Sequence, residues 1–258
     1  MSIYHGGIIK TPEEINIMRE GGKILAEILI EIKNMIKPGI QTIELENRFL
    51  KLCHEKNAVP ACKGYNPYGT EPFPTGLCIS INNQSVHCHP QKDIILNEGD
   101  IVTIDTTIKY KNLHVDSAFA TGVGKISTKR EKFLNTIEKA HNEAIKMIKE
   151  GIKTGDIAHT IQETVESQGY NPLREYAGHG IGYKMHEPPE IPCFGKAGSG
   201  HTLKAGMTIC IEPLIASGNW KVRHSGPWDT KMADGSDFAQ FEHTVLVTKT
   251  GYEILTKV

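Results

Sequence analysis

The chain has 258 residues, of which 39% are hydrophobic and 23% charged, and a formal net charge of −1. These proportions are ordinary for a soluble globular protein, and the lack of a dense Lys/Arg block argues against nucleic acid as a partner. No apolar run approaches a membrane span, so no membrane partner is expected.

The amino-terminal MSIYHGGIIKTPEE lacks the apolar core of a signal peptide. The six cysteines are scattered without a CxxC pair, which fits reduced thiols in the cytoplasm better than disulfides or a zinc finger. No low-complexity or Pro/Ser-rich linker interrupts the chain, and one domain over residues 1–258 is expected.

In chain order, Thr11-Pro12-Glu13-Glu14 opens a helix: Thr caps, Pro takes the first helical position and Glu14 completes a capping box. Ile15, Met18, Ile24, Leu25 and Ile28 form its apolar face, and Pro38-Gly39 stops it. Thr42 starts a second helix, through about Lys56. Gly64 to Gly76 is a loop rich in Pro, Gly and Tyr; it suits the wall of a pocket, although plain loop packing is the commoner role of such a segment. Leu77 to Ile81 is a strand, followed by Val86-His87-Cys88-His89-Pro90. Those three adjacent side chains cannot make a zinc site by themselves, because neighbours on a strand point to opposite faces.

Asn97 to Phe119 alternates as a β-hairpin around Tyr110-Lys111-Asn112. Asp105 and Asp116 stand about equally far from the turn, so an antiparallel pair brings them close, on one face if the register allows. One reading is a solvated Asp and a turn-capping Asp; the other is a site with a cation between two carboxylates. Thr128-Lys129-Arg130-Glu131 is a further capping box, with a helix running to Gly151. Thr154 begins a fourth helix, ending near Gly169. Tyr176-Ala177-Gly178-His179-Gly180-Ile181-Gly182 permits close backbone approach around His179, and His186-Glu187-Pro188-Pro189 follows. Glu242 sits among apolar residues of a predicted strand, where a carboxylate needs a partner. Its neighbour His243 faces the other way and reads as structural.

The chain also repeats itself. Leu96-x-x-Gly99 leading to Ile104-Asp105 is echoed by Leu203-x-x-Gly206 leading to Ile211-Glu212, with the same separation throughout. Ile36-Lys37-Pro38-Gly39-Ile40 is echoed by Ile148-Lys149-Glu150-Gly151-Ile152. Two related halves, each with two helices and then strands, imply an α+β fold with helices on a largely antiparallel sheet. A cleft between them would set Asp105 opposite Glu212.

Four carboxylates, Asp105, Asp116, Glu212 and Glu242, and one imidazole, His179, then need a common explanation. Together in a dry cleft the carboxylates would repel and protonate; two divalent cations would cancel their charge. Oxygen-rich ligation with one His suits Mn, Fe, Co or Zn without choosing among them. A pair of such ions roughly 3.5–4 Å apart lowers the pKa of a water between them toward about 7, enough for hydrolysis at neutral pH. His87 and His186 lie outside the ligand count and are free to contact substrate.

With these motifs assembled, DIVTIDTTI, LHVDSAF, AGHGIG, IEP and QFEHT, the chain resembles the type I methionine aminopeptidases, metallopeptidases of the pita-bread fold, over nearly its whole length. The resemblance implies a fold of two pseudo-symmetric halves, with an antiparallel sheet and paired outer helices. It also implies removal of the initiator methionine from nascent polypeptide N-termini. Asp105, Asp116, His179, Glu212 and Glu242 would be the metal ligands, with Asp116 and Glu242 bridging two divalent ions. His87, His186 and Glu212 would be catalytic, the two histidines also binding substrate. A transient ribosome contact, a monomeric state and a cytoplasmic location belong to the same expectation.

Two departures border the side-chain pocket: His87-Cys88-His89-Pro90 where the family usually has His-Gly-Ile-Pro, and a longer 64–76 loop. The alternatives are an X-Pro aminopeptidase or prolidase-like enzyme of the same fold, whose members usually carry a large N-terminal domain, and a non-catalytic binding protein.

Overall fold

The computed structural model describes all residues except 1, 2, 5, 68, 70 and 258, and only the backbone of residues 3 and 4. Tyr68 of the aromatic loop therefore lies outside the described residues. Helix α1 spans Pro12–Met35, α2 Thr42–Glu55, α3 Thr128–Lys146 and α4 Thr154–Glu166. None of them is long and apolar enough to cross a membrane.

The capping box expected at Thr11 is present, with Thr11 Oγ1 accepting from Glu14 N and Glu14 Oε2 accepting from Thr11 N. The start of α3 differs from expectation. Ser127, not Thr128, is its cap: Ser127 is extended, its hydroxyl accepts from Arg130 N at 3.3 Å, and Thr128 is already helical. The end of α3 differs too. The helix stops at Lys146, and Gly151, at φ +93°, instead donates its N–H to Leu203 O across the half.

Among the described residues the main sheet has nine strands. Val59–Pro60, Ile101–Tyr110, Leu113–Gly122, Glu242–Val247, Thr208–Ile211, Ala177–Gly180 and Glu187–Pro192 lie side by side in that order. Cys78–Ile81 also pairs with Ile101–Tyr110, and Tyr252–Ile254 with Glu242–Val247. Every pairing is antiparallel. The two long hairpin strands turn at Lys111-Asn112, both with positive φ, which is the two-residue turn whose twist matches the strands.

Each half has its own apolar layer between helices and sheet. Leu25, Ile28, Leu45 and Phe49 of α1 and α2 pack with Val102, Ile104 and Val115. Phe133, Ile137, Ile157 and Ile161 of α3 and α4 pack with Ile209, Ile211 and Val245. The helices thus cover one face of the sheet and leave the other to form the floor of a cleft.

The sequence repeat is matched in the hydrogen bonds. Gly39 N donates to Leu96 O, and Gly151 N to Leu203 O. Leu96 N donates to Ile40 O, and Leu203 N to Ile152 O. Thr42 N donates to Ile94 O, and Thr154 N to His201 O. Gly99 and Gly206 both sit at φ +90°, and each donates to the end of a neighbouring strand, at Val123 O and Val247 O. These short apolar motifs are the joints that tie each helix pair to its strands.

This equivalence is testable. Gly39 and Gly151 have φ of +89° and +93°, and a Cβ on either would meet nothing within 4 Å. Replacement by Ala should therefore cost only backbone strain, about 1–2 kcal/mol, and equally at both sites. Urea unfolding of Gly39→Ala and Gly151→Ala measures it; costs differing by more than about 1 kcal/mol would break the equivalence.

Candidate metal centre

The sheet register gathers the acidic groups. Asp105 pairs with Ala118, and Ala118 pairs in turn with Glu242. Continuing the Ile211–His243 pairing by one step sets Glu212 beside Glu242. One row across three strands and a strand end thus reads Asp105, Ala118, Glu242, Glu212. The next row on the same face starts at Thr107 paired with Asp116. It continues through Thr244 to Cys210, which are paired with each other, and ends at His179 on the next strand.

Asp105 and Asp116 are therefore diagonal neighbours on one face, as the hairpin allowed. The small Ala118, Thr244 and Cys210 between the longer side chains leave room above the sheet. His179 needs glycines on both sides: a Cβ on Gly178 would lie 2.5 Å from Cys210 O, and one on Gly180 2.2 Å from Pro188 O.

Donor atoms of Asp116, His179, Cys210 and Glu242 all fall within 4.8 Å of one another. Asp116 Oδ2 accepts from Thr107 Oγ1 at 2.6 Å, while buried Asp116 Oδ1 and Glu242 Oε1 have no hydrogen-bond partner. His179 Nδ1 faces Gly180 O at 3.0 Å; a carbonyl only accepts, so Nδ1 carries the proton and Nε2 offers its lone pair toward Glu212 Oε1, 3.5 Å away.

Burial raises the pKa of every one of these carboxyls. Asp105 is pushed well up by desolvation and then by Asp116, and Glu242 by desolvation and then by Asp116 and Glu212. Glu212 rises for the same two causes, desolvation and Asp116. Asp116 rises by desolvation, partly offset by the Thr107 hydroxyl. Burial pulls His179 down to about 4, leaving it neutral at pH 7. Orphaned acceptor oxygens, a free imidazole lone pair and carboxyls that cannot all ionise alone form a donor set that fits divalent cations.

Two members of this neighbourhood escape a reading of the sequence. Gln240 is buried, and its Nε2 lies 3.2 Å from both Glu212 Oε2 and Glu242 Oε2, holding the two glutamates together. Cys210 stands among the donors, yet burial and then Glu242 push its thiol well up, so it stays protonated and is a poor ligand. Both lie two residues from a candidate glutamate, which is the one signal that marks them.

The sheet floor belongs to a cleft of about 940 Å³. His87 and His186 line it, with Asp105, Asp116, His179, Glu212 and Glu242. His87, at φ +65°, is not in an extended segment, so it parts from His89. His87 meets Tyr176 and Trp228 edge-on, whereas His89 turns toward Phe73. His186 packs edge-on to His179 at 4.4 Å, and its Nδ1 lies 2.7 Å from Tyr65 Oη. Desolvation first, then a neighbouring histidine, brings both His87 and His186 to about 4, so both are neutral at pH 7.

Tyr65, Pro67 and Phe73 line the cleft as well, so the 64–76 loop is a pocket wall rather than plain packing. Cys62, Phe73, Cys78 and Met185, with Tyr65 and Trp228 against them, make a small apolar cluster there. The six cysteines are all free and buried.

The comparisons with known proteins agree with this geometry. The model of metallopeptidase family M24 matches residues 16–249. Methionine aminopeptidase 1 of Bacillus subtilis (strain 168) is 39% identical over 252 residues, covering 97% of this chain and 99% of the relative. A crystal structure of a methionine aminopeptidase from Thermotoga maritima superposes with a TM-score of 0.93 at 41% identity, covering 98% of this chain and 100% of that one. An Xaa-Pro dipeptidase from Bacillus anthracis shares the fold alone, at a TM-score of 0.75 and 22% identity, with 97% of this chain matching 62% of that protein. A family match that takes in both halves, every strand of the cleft floor and all the acidic groups upon it leaves one assignment: this chain belongs to metallopeptidase family M24.

Proposed function

We infer that the protein is a metalloaminopeptidase that removes the N-terminal methionine of nascent polypeptides by metal-assisted hydrolysis. One observation carries the reading. Four carboxyls and a lone-pair-bearing imidazole share one sheet face, two of their buried oxygens lack partners, and an apolar pocket opens beside them.

In this reading Asp105, Asp116, His179, Glu212 and Glu242 would hold two divalent cations. Bound there, the cations supply Lewis-acid polarisation of the scissile carbonyl and a water nucleophile at neutral pH. Thr107 orients Asp116, and Gln240 orients both glutamates; in this reading Glu212 would take the proton of the attacking water. His186 Nδ1 is hydrogen-bonded to the Tyr65 hydroxyl; with the hydroxyl as donor, His186 would keep its Nε2–H for the substrate. His87, neutral and held between Tyr176 and Trp228, donates from the other wall. The apolar cluster of Cys62, Phe73, Cys78 and Met185 receives the unbranched methionine side chain.

The reading treats the chain as one catalytic domain, supported by the sheet that runs through both halves. It extends to a cytoplasmic, monomeric enzyme in transient contact with ribosomes, because its substrate is the emerging chain end. The X-Pro alternative rests on fold likeness alone at 22% identity, against 39% and 41% for the methionine aminopeptidases.

A substrate panel tests the reading. With Mn²⁺ or Co²⁺ added, Met-Gly and Met-Ala peptides should be cleaved, while Ala-Pro peptides and N-acetylated Met peptides should not. Efficient turnover of the Pro or blocked peptides would reject it.

A second measurement separates the two pocket histidines. His87→Ala should lose about 10²–10³-fold in kcat while retaining its metals by elemental analysis. His89→Ala, which loses only packing on Phe73, should change KM or side-chain preference instead. The reverse pattern would exchange their roles.

A further inference from the structure

The cleft has two ends. The apolar cluster adjoins Asp105, since Cys78 pairs with it in the sheet. The other end begins at Glu212 and continues past Glu190, Pro192 and Phe194 to Arg174. Two hydrogen bonds tie this second end to the acidic row. Leu173 N donates to Leu214 O, and Cys193 Sγ donates to Glu212 O, so the next residues, Arg174 and Phe194, line the cleft on the Glu212 side.

Arg174 is held in an unusual way. Its guanidinium carbon lies 4.6 Å from the Trp220 ring and 5.4 Å from the Phe194 ring. Cation–π contact with both rings restricts its orientation. What they leave is the edge of the guanidinium, with N–H donors in one plane. No carboxylate among the described residues pairs with it: the adjacent Glu175 is turned to His224 Nε2 at 3.2 Å. A fixed, exposed fork of donors lining a peptide cleft is suited to carbonyl oxygens.

We propose that Arg174, clamped between Phe194 and Trp220, is a substrate subsite that binds the backbone carbonyls of the third and fourth residues of the peptide. The proposal rests on the aminopeptidase reading, which seats the first side chain in the apolar cluster and the scissile bond over the acidic rows. The rest of the peptide then runs toward the Glu212 end, away from the apolar cluster. Arg174 precedes His179 by five positions, a span of at most about 18 Å. An extended peptide advances roughly 3.3 Å per residue, and the arginine side chain reaches back toward it. The recognition is of backbone, so it is indifferent to the sequence of the downstream residues, as a substrate class of many different chain ends requires.

The test compares kcat/KM for Met-Ala-amide and Met-Ala-Ser-Ala-amide, neither of which carries a terminal carboxylate, on the metal-loaded wild-type enzyme and on Arg174→Gln and Arg174→Lys. The ratio of the longer to the shorter substrate is internal to each preparation and cancels any loss of folded protein. Wild type should favour the tetrapeptide. Arg174→Gln should lower the ratio about tenfold, and Arg174→Lys, which keeps the charge without the planar fork, should lower it less. An unchanged ratio in both variants overturns the subsite while leaving the aminopeptidase reading intact. Failure of wild type to cleave either peptide overturns both.

Discussion

Everything at the centre of this fold answers to one electrostatic constraint: four carboxyl groups share one dry face of a sheet. Burial raises the pKa of each, and Asp116 raises its neighbours further. Charged and uncompensated, such a set would destabilise the folded chain. Protonated, it would have no use as a ligand set. The surrounding residues do not neutralise it: among the described residues no lysine or arginine pairs with any of the four, and their side-chain partners include the neutral Thr107, Gln240, Cys210 and His179. Contrast Glu187, equally buried, which the fold pairs with Lys10 at 2.7 Å. The chain gives a buried acid a cationic partner where it needs only structure, and gives the acids of the cleft floor none among the described residues.

The two-fold repeat explains how such a face is built. Each half carries a helix pair, a glycine joint and a strand that delivers a carboxylate, Asp105 in one and Glu212 in the other. Neither half holds a complete site. The hairpin adds Asp116, the last long strand adds Glu242, and the glycine-flanked strand adds His179. Antiparallel pairing then sets all five within two adjacent rows, because side chains on one strand face recur at every second residue. Aromatic loops from both halves wall the cleft, and Trp228 Nε1 donates to Glu71 O to join them.

Much of this was legible in the residues. The α1 capping box, the hairpin and the repeat are local patterns, and the structure bears them out. The Thr128 capping box misled because Ser127 offers the same hydroxyl one residue earlier, and backbone conformation decides between them. Gly151 read as a helix cap because a glycine after a helical pattern usually is one; its partner, Leu203, is distant in sequence. Gln240 opens the QFEHT motif, but nothing in the motif marks its side chain as a tether between two glutamates, and Cys210 carries no motif. Their places depend on cross-strand register, which periodicity alone does not supply. His87 and His89 could not be separated by alternation, because the chain turns at His87 through a left-handed conformation that strand periodicity does not anticipate.

The central claim is that cations, not protons, occupy the acidic face when the enzyme works. Calorimetric titration of the metal-free protein with Mn²⁺ at pH 7, repeated in buffers of different ionisation enthalpy, measures it directly. Because the carboxyl pKa values are raised without metal, binding should expel protons, tighten as pH rises, and reach two ions per chain. Binding with no proton release, or saturation below one ion per chain, would contradict the account.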